Sequence, residues 1–418
     1  MSEFKTIREL CSIVADCPHS TPKWTQNGKI VVRSNNIKNG RISFSSPSYT
    51  DNEHFTQRIK RAIPKSGDLI ITREAPMGEV GMIPDGVECC LGQRMVLLRV
   101  DENVCDNFYL LYSLQSPYVQ HQISWSEGTG TTVSNLRIPH LEKIKIPYIP
   151  LERQKKVSSI IRVIEEKMEN NRKINENLEQ QAKAVFKSWF EDFTPFDEPL
   201  VKTSAGIYAP ASLKMVQIAN IPHVLETGKR PKGGAVTSGV PSIGAENVKQ
   251  LGVVNFSSAK FIPEEFAAKM KTGAINGYEL LLYKDGGKPG TFIPHFSMFG
   301  EGFPYRKFFI NEHVFKLDFG DRGFNEFAYF FMQTDYAYHW LASNGGKAAV
   351  PGINQQNVND IWIFSPDNSK VKEFGEWVQP LFTAILKNCA QNVKLAELRD
   401  ALLPKLMSGE IDVSTIDL

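Results

Sequence analysis

The sequence predicts an α+β chain of two pseudo-symmetric, mixed α/β modules separated by two long antiparallel, coiled-coil-like helices. Three observations lead there. Segments of the first half recur in the second: Asn36-Ile37-Lys38 aligns with Asn247-Val248-Lys249, and Asp68-Leu69-Ile70-Ile71 with Glu279-Leu280-Leu281-Leu282, both at an offset of 211. Two stretches carry seam-forming residues every seven positions, and they match each other at an offset of 217. Between them lie short apolar runs bounded by Gly-, Ser- and Asn-rich loops, which read as strands and connections.

The order follows from these matches. Residues 1–150 form a first module, 151–194 a long spacer helix, 195–370 a second module, 371–410 a second long helix and 411–418 a tail. In the first module, Asp68–Thr72 and Met95–Val100 read as strands and Asn107–Gln115 as an aromatic-rich helix. Glu279–Tyr283, Val314–Leu317 and Asn325–Gln333 are their counterparts. Phe108, Tyr109 and Tyr112, with Phe327, Tyr329, Phe330 and Phe331, are read as core rather than as platforms for stacked bases, because they fall at matched places.

The seam of the first helix is Val157, Ile161, Ile164, Met168, Asn171, Asn175, Leu178, Val185 and Trp189. That of the second is Phe374, Val378, Leu381, Ile385, Asn388, Asn392, Leu395, Leu402 and Leu406. Two Asn stand at matched positions in each. A buried polar residue in a seam costs stability but fixes register, so the pairs suggest that the helices pack on each other; Asn facing solvent is the alternative. Each helix should run about 35–40 residues, roughly 50–60 Å. Pro195 and Pro199 end the first, and Pro380 should start or kink the second. Phe186, Trp189 and Phe190 add an apolar surplus that could face a partner, in which case Trp189→Ala would weaken subunit assembly or helix pairing.

Composition narrows the function. With 42% hydrophobic and 22% charged residues the chain is ordinary globular material. Forty-eight Lys and Arg against 46 Asp and Glu leave a net charge of +2, so any phosphate contacts must be local. The six cysteines show no C-x-x-C spacing and read as free buried thiols of a reducing compartment. No leader-like start and no run of about 18 apolar residues is present, which points to a cytoplasmic protein with no membrane partner. Catalytic motifs are equally lacking. Gly286-Gly287-Lys288 and Gly345-Gly346-Lys347 lack the spacing and the following Ser/Thr of a P-loop. Pro84-Asp85 followed by Glu88 has Cys90 where a nuclease-like motif needs Lys, and the N-P-P-[FY] signature of amino-methyltransferases is missing. No metal site is expected.

The junction Leu141-Glu142-Lys143-Ile144-Lys145-Ile146-Pro147 through Pro150-Leu151-Glu152-Arg153-Gln154-Lys155-Lys156-Val157 resembles that of the specificity subunits of type I restriction–modification systems. So do Leu395-Ala396-Glu397-Leu398-Arg399 through Leu402-Leu403-Pro404-Lys405-Leu406-Met407-Ser408-Gly409-Glu410-Ile411, Thr21-Pro22-Lys23, and Gly67-Asp68-Leu69-Ile70-Ile71-Thr72-Arg73. The second junction, Ile361-Trp362-Ile363-Phe364-Ser365-Pro366, lacks the Leu-Glu-x-Gln continuation. The resemblance implies a non-catalytic DNA reader whose two modules are target-recognition domains, each reading half of a split, asymmetric site in double-stranded DNA. It implies two methyltransferase (M) subunits and restriction/motor (R) subunits as partners. No cofactor is expected on this chain; S-adenosylmethionine, ATP and Mg belong to the partners.

For DNA contact the first module offers Lys23, Arg33, Asn35, Asn36, Lys38, Arg73, Arg94 and Thr131, and the second Lys229, Arg230, Lys232, Asn247, Lys284, Lys288, Arg306 and Lys347. Arg can pair bidentately with guanine and Asn with adenine, while Lys positions phosphates. Arg73 stands opposite Lys284 in the alignment and Arg94 opposite His313; Arg73→Ala should lower DNA affinity without unfolding the chain. Two other readings stay open: a fused or degenerate modification–restriction protein, and a coiled-coil scaffold that reads no DNA.

Overall fold

A computed structural model describes residues 3–38, 40–125, 135–346, 350–413 and 416. The chain divides into two compact units, Met1–Lys167 with Leu395–Leu418, and Met168–Lys394. The division therefore falls inside both long helices, α1 (Leu151–Phe190) and α2 (Ser369–Ser408), instead of at their ends.

The first unit is built on a four-stranded antiparallel sheet in the order Cys11–Asp16, Met95–Val100, Leu69–Thr72, Val80–Met82. Every residue of Leu69–Thr72 is buried, as expected of a β-branched run covered on both faces. Leu69 and Ile71 point into a core with Val96, Leu98, Tyr109 and Leu110, completed by Val157 and Ile161 of α1 and Leu403, Leu406 and Met407 of α2. Ile70 points the other way, into a smaller core with Val32, Cys89, Met95 and Leu97. That second core is roofed by a sheet in which Cys89–Leu91 pairs parallel with Lys29–Val32.

The second unit repeats the plan. Val224–Thr227, Val314–Asp318, Leu280–Tyr283 and Phe296–Met298 form the antiparallel sheet in the same order, and Phe309–Ile310 pairs parallel with Val240–Ile243. Register repeats too: Leu98 lies opposite Leu69, and Leu317 opposite Leu280. The core here is aromatic. Phe324, Phe327, Phe330 and Phe331 pack against Phe186 and Phe190 of α1 and Phe374 and Phe382 of α2. Phe186 and Phe190 are thus interior residues, not a partner surface, and Trp189 is half-buried against Phe190 and Phe374.

Each long helix has 40 residues, about 60 Å at 1.5 Å per residue. Gln154 explains the Pro-Leu-Glu-x-Gln start of α1. Its buried side chain accepts from the Asp106 N–H (2.9 Å) and donates to the Ile149 carbonyl (2.8 Å), tying the first turn to the loop before it. At the start of α2, Asn368 substitutes by accepting the Lys370 N–H at 2.9 Å. Pro380 does not start α2, which begins at Ser369 and runs through it. Val378 and Phe382, either side of it, are fully buried, so packing outweighs the missing backbone bond.

In the second unit the facing segments of α1 and α2 run antiparallel. Asn171 donates to Asn392 Oδ1 (2.8 Å) and Gln391 Oε1 (2.8 Å), Asn392 donates to the Met168 carbonyl (3.1 Å), and Asn388 donates to Asn175 Oδ1 (2.9 Å). Asn171 and Asn388 are sequence counterparts, as are Asn175 and Asn392, so each counterpart pairs with the other's neighbour, the pattern of an isologous contact. In the first unit Arg399 of α2 meets Glu165 of α1 at 2.7 Å. None of the eighteen seam residues named from the sequence is exposed.

Candidate nucleic-acid interface

Equivalent backbone bonds hold a short turn in each unit. In the first, Gly92-Gln93-Arg94 leads from Cys89–Leu91 into Met95–Val100: the Gly92 N–H donates to Val32 O (2.7 Å), and the Arg73 N–H to Arg94 O (2.8 Å). In the second, Asn311-Glu312-His313 leads from Phe309–Ile310 into Val314–Asp318: the Asn311 N–H donates to Ile243 O (2.9 Å), and the Lys284 N–H to His313 O (3.0 Å). The Leu136 N–H closes on Arg73 O and the Ile353 N–H on Lys284 O.

Side chains around the two turns differ. Arg94 sits at φ +65°, its Nε 3.0 Å from Glu74 Oε2, with 58% of its side chain exposed. His313 hydrogen-bonds Asp285 and approaches Glu312 at 3.4 Å. Nearby, Arg33 lies over the exposed ring of Trp24 at 5.1 Å, and Lys23 is 3.7 Å from Asp51. Asn35 and Lys38 are exposed. In the second unit Lys229, Arg230, Lys232, Lys288 and Arg306 are exposed, and Arg230 is 3.8 Å from Glu312. Lys229, Arg230 and Lys260 line a cavity of 70 Å³ beside Glu312 and His313. The backbone at Gly228 brings that loop close: a Cβ there would stand 1.5 Å from Ile310 O.

Four candidates are held within the fold. Arg73 is buried, donating to Leu136 O (2.9 Å), to both Asp16 oxygens (3.0 and 3.1 Å) and to Asn135 Oδ1 (3.2 Å). It spans the sheet end as a brace. Asn36 is buried and accepts from the Arg33 N–H (2.9 Å); Asn247 is buried and accepts from the Asn255 N–H (2.8 Å). Lys284 is half-buried, bonded to Glu312 O (3.0 Å) and paired with Asp285 (3.1 Å). Their polarity marks a need for internal partners, a signal that sequence alone does not separate from exposure. Thr131 and Lys347 lie outside the described residues. Trp24, Gln93, Glu312 and His313 escaped the sequence reading as contact candidates, although the alignment of Arg94 with His313 pointed at the turns.

All six cysteines are free, and burial pushes the thiols of Cys11 and Cys89 up to about 12 and those of Cys90 and Cys389 up to about 11, so they stay protonated. Among the described residues no group of three or more His, Cys, Asp or Glu could hold a metal, and no helix is long and apolar enough to cross a membrane. A larger cavity, 390 Å³ in the first unit, is lined by Glu79, Glu165 and Asp400 against Arg399, a balance that does not favour phosphate.

Residues 2–180 match the family model described as the type I restriction modification DNA specificity domain. Over 361 residues the chain is 27% identical to the type I restriction enzyme MjaIX specificity subunit of Methanocaldococcus jannaschii, covering 85% of this chain and 80% of that one. It is 22% identical over 421 residues to the HindI specificity subunit of Haemophilus influenzae, covering 85% and 88%. Along most of its length the chain is thus similar to type I restriction–modification specificity subunits. The fold agrees: the crystal structure of a type I specificity subunit from M. genitalium aligns over 97% of this chain and 96% of that one, with a TM-score of 0.57 at 16% identity. Members of this family serve restriction–modification complexes that act on DNA.

Proposed function

We propose that this chain is a type I specificity subunit that reads a bipartite, asymmetric sequence in double-stranded DNA, one half-site per unit. The helices set the spacing and dock two methyltransferase subunits and, through them, the restriction subunits. S-adenosylmethionine, ATP and Mg act on those partners, in the cytoplasm. One observation carries the reading: two units of the same topology and register present different exposed polar side chains at equivalent places, as two similar readers of unlike half-sites would. Exposed Val163 on α1 and Leu398 on α2 offer apolar contact to a partner.

The test is co-expression with the type I methyltransferase subunit encoded nearest to it, followed by single-molecule sequencing of host DNA. A stable complex that leaves methyladenine in one split, asymmetric motif supports the reading. Stable association without motif-specific methylation overturns it.

A further inference from the structure

The turns Gly92–Arg94 and Asn311–His313 have three residues each, enter the same strand of the same sheet, and are pinned by the same backbone bonds. What the frame holds constant is the backbone; what it varies is the hydrogen-bonding character of two adjacent side chains. Gln93 and Arg94 face one way of reading, Glu312 and His313 another. Each pair also bonds to its own surroundings, Gln93 donating to the His19 carbonyl and His313 pairing with Asp285.

We propose that these two turns are the specificity-determining elements of the subunit, Gln93 and Arg94 for one half-site and Glu312 and His313 for the other. The inference rests on the two-part DNA reading above and names the residues that would carry it. Arg94 is held in left-handed backbone that an unbranched side chain seldom adopts, a conformation kept where the surroundings over-determine it. Glu74 holds its Nε at 3.0 Å while 58% of the side chain is exposed, and a guanidinium so placed suits the O6 and N7 acceptors of guanine. Glu312 is the opposite kind of group, an acceptor. Its Oε1 lies 3.8 Å from Arg230 and 3.4 Å from His313, and its Oε2 is buried and has no hydrogen-bond partner among the described residues. The half-buried carboxylate, an acceptor only, is the kind of group that suits an exocyclic amino group, such as cytosine N4. Lys229, Arg230 and Lys260 around the adjoining cavity offset the repulsion between that carboxylate and the DNA backbone. The first turn thus favours an acceptor-rich base edge and the second a donor edge.

The experiment exchanges the pairs in the full chain, assembled with its methyltransferase subunits and read on a plasmid library of randomised sites. E312Q/H313R puts the first unit's pair into the second, and Q93E/R94H does the reverse; His tolerates left-handed backbone better than most residues. E312Q/H313R is expected to lower methylation of the parental motif about tenfold or more, with altered preference confined to one half-site. Q93E/R94H should do the same to the other half alone. The single substitution H313Q, which keeps a neutral polar group, guards against a folding defect, as does the requirement that the unaltered half-site still be read. Parental motif and efficiency in both exchanged variants overturn the inference while leaving the two-part reading intact. A parent complex that methylates no split motif removes both.

Discussion

Arg73 and Lys284 share a place in the two units and meet its demands differently. The guanidinium reaches four acceptor atoms on Leu136, Asp16 and Asn135, whereas the ammonium settles for one carbonyl and one carboxylate. Removing Arg73 leaves a buried carbonyl unpaired and breaks its contact with Asp16, so Arg73→Ala should cost about 2–4 kcal/mol of stability. A lower urea midpoint, with cognate and non-cognate DNA weakened alike, is the expected result; an unchanged midpoint with selective loss of cognate binding would return Arg73 to the reading surface. Glu326 offers a second test at this scale. It is fully buried in the second unit, and desolvation, opposed by Arg322, raises its carboxyl from 4.5 to about 7. The folded state therefore holds a proton that the unfolded state releases near pH 4.5. Stability contributed by this group is present below that pH and is lost as pH rises toward 7, by on the order of 3 kcal/mol. Glu326→Gln should flatten the fall in urea midpoint between pH 5 and pH 8, and an unchanged slope would show that the carboxyl does not titrate there.

At the scale of elements, the seam shows why part of the fold was legible and part was not. A strict seven-residue pattern matches about 3.5 residues per turn, but a straight helix has 3.6 and drifts about 20° per heptad. Across the four heptad steps of each seam that moves the buried face by nearly one residue. The marked positions Val157, Ile161, Phe374 and Val378 are fully buried, while at the far ends burial shifts from Val185 to Phe186 and from Leu402 to Leu403. The duplication was legible because strands and helices keep their spacing; loops insert freely, so the register of Arg94 with His313 needed an offset larger than 211. The buried roles of Arg73, Asn36 and Asn247 were hidden because they depend on partners distant in sequence or on local turn geometry. The Asn ladder yields an expectation of its own. Asn171→Ala leaves Asn392 without its donor and should cost about 1–3 kcal/mol, whereas Asn171→Leu with Asn392→Leu replaces both polar groups and should recover most of it. Denaturation midpoints of parent, single and double variants decide; a double variant worse than the single would mean that the seam requires polarity for the fold itself.

For the whole molecule, electrostatics must work without a global field, since the net charge is only +2. Attraction to DNA then comes from individual exposed cations, and each phosphate neutralised contributes about −0.9 to the slope of log affinity against log salt. Arg94, Arg230 and Lys23 are shared with neighbouring carboxylates, which reduces what each can give to a phosphate. Lys232 and Lys288 are exposed and make no ion pair among the described residues, so both are available. Replacing the two by Ala in the methyltransferase-bound subunit should make the salt slope shallower by about 1.8, and weaken cognate and non-cognate duplexes by equal factors. Titrations at four salt concentrations on one cognate and one scrambled duplex measure both quantities. A loss confined to the cognate duplex would make these lysines base readers. An unchanged slope would place the DNA path elsewhere on the second unit.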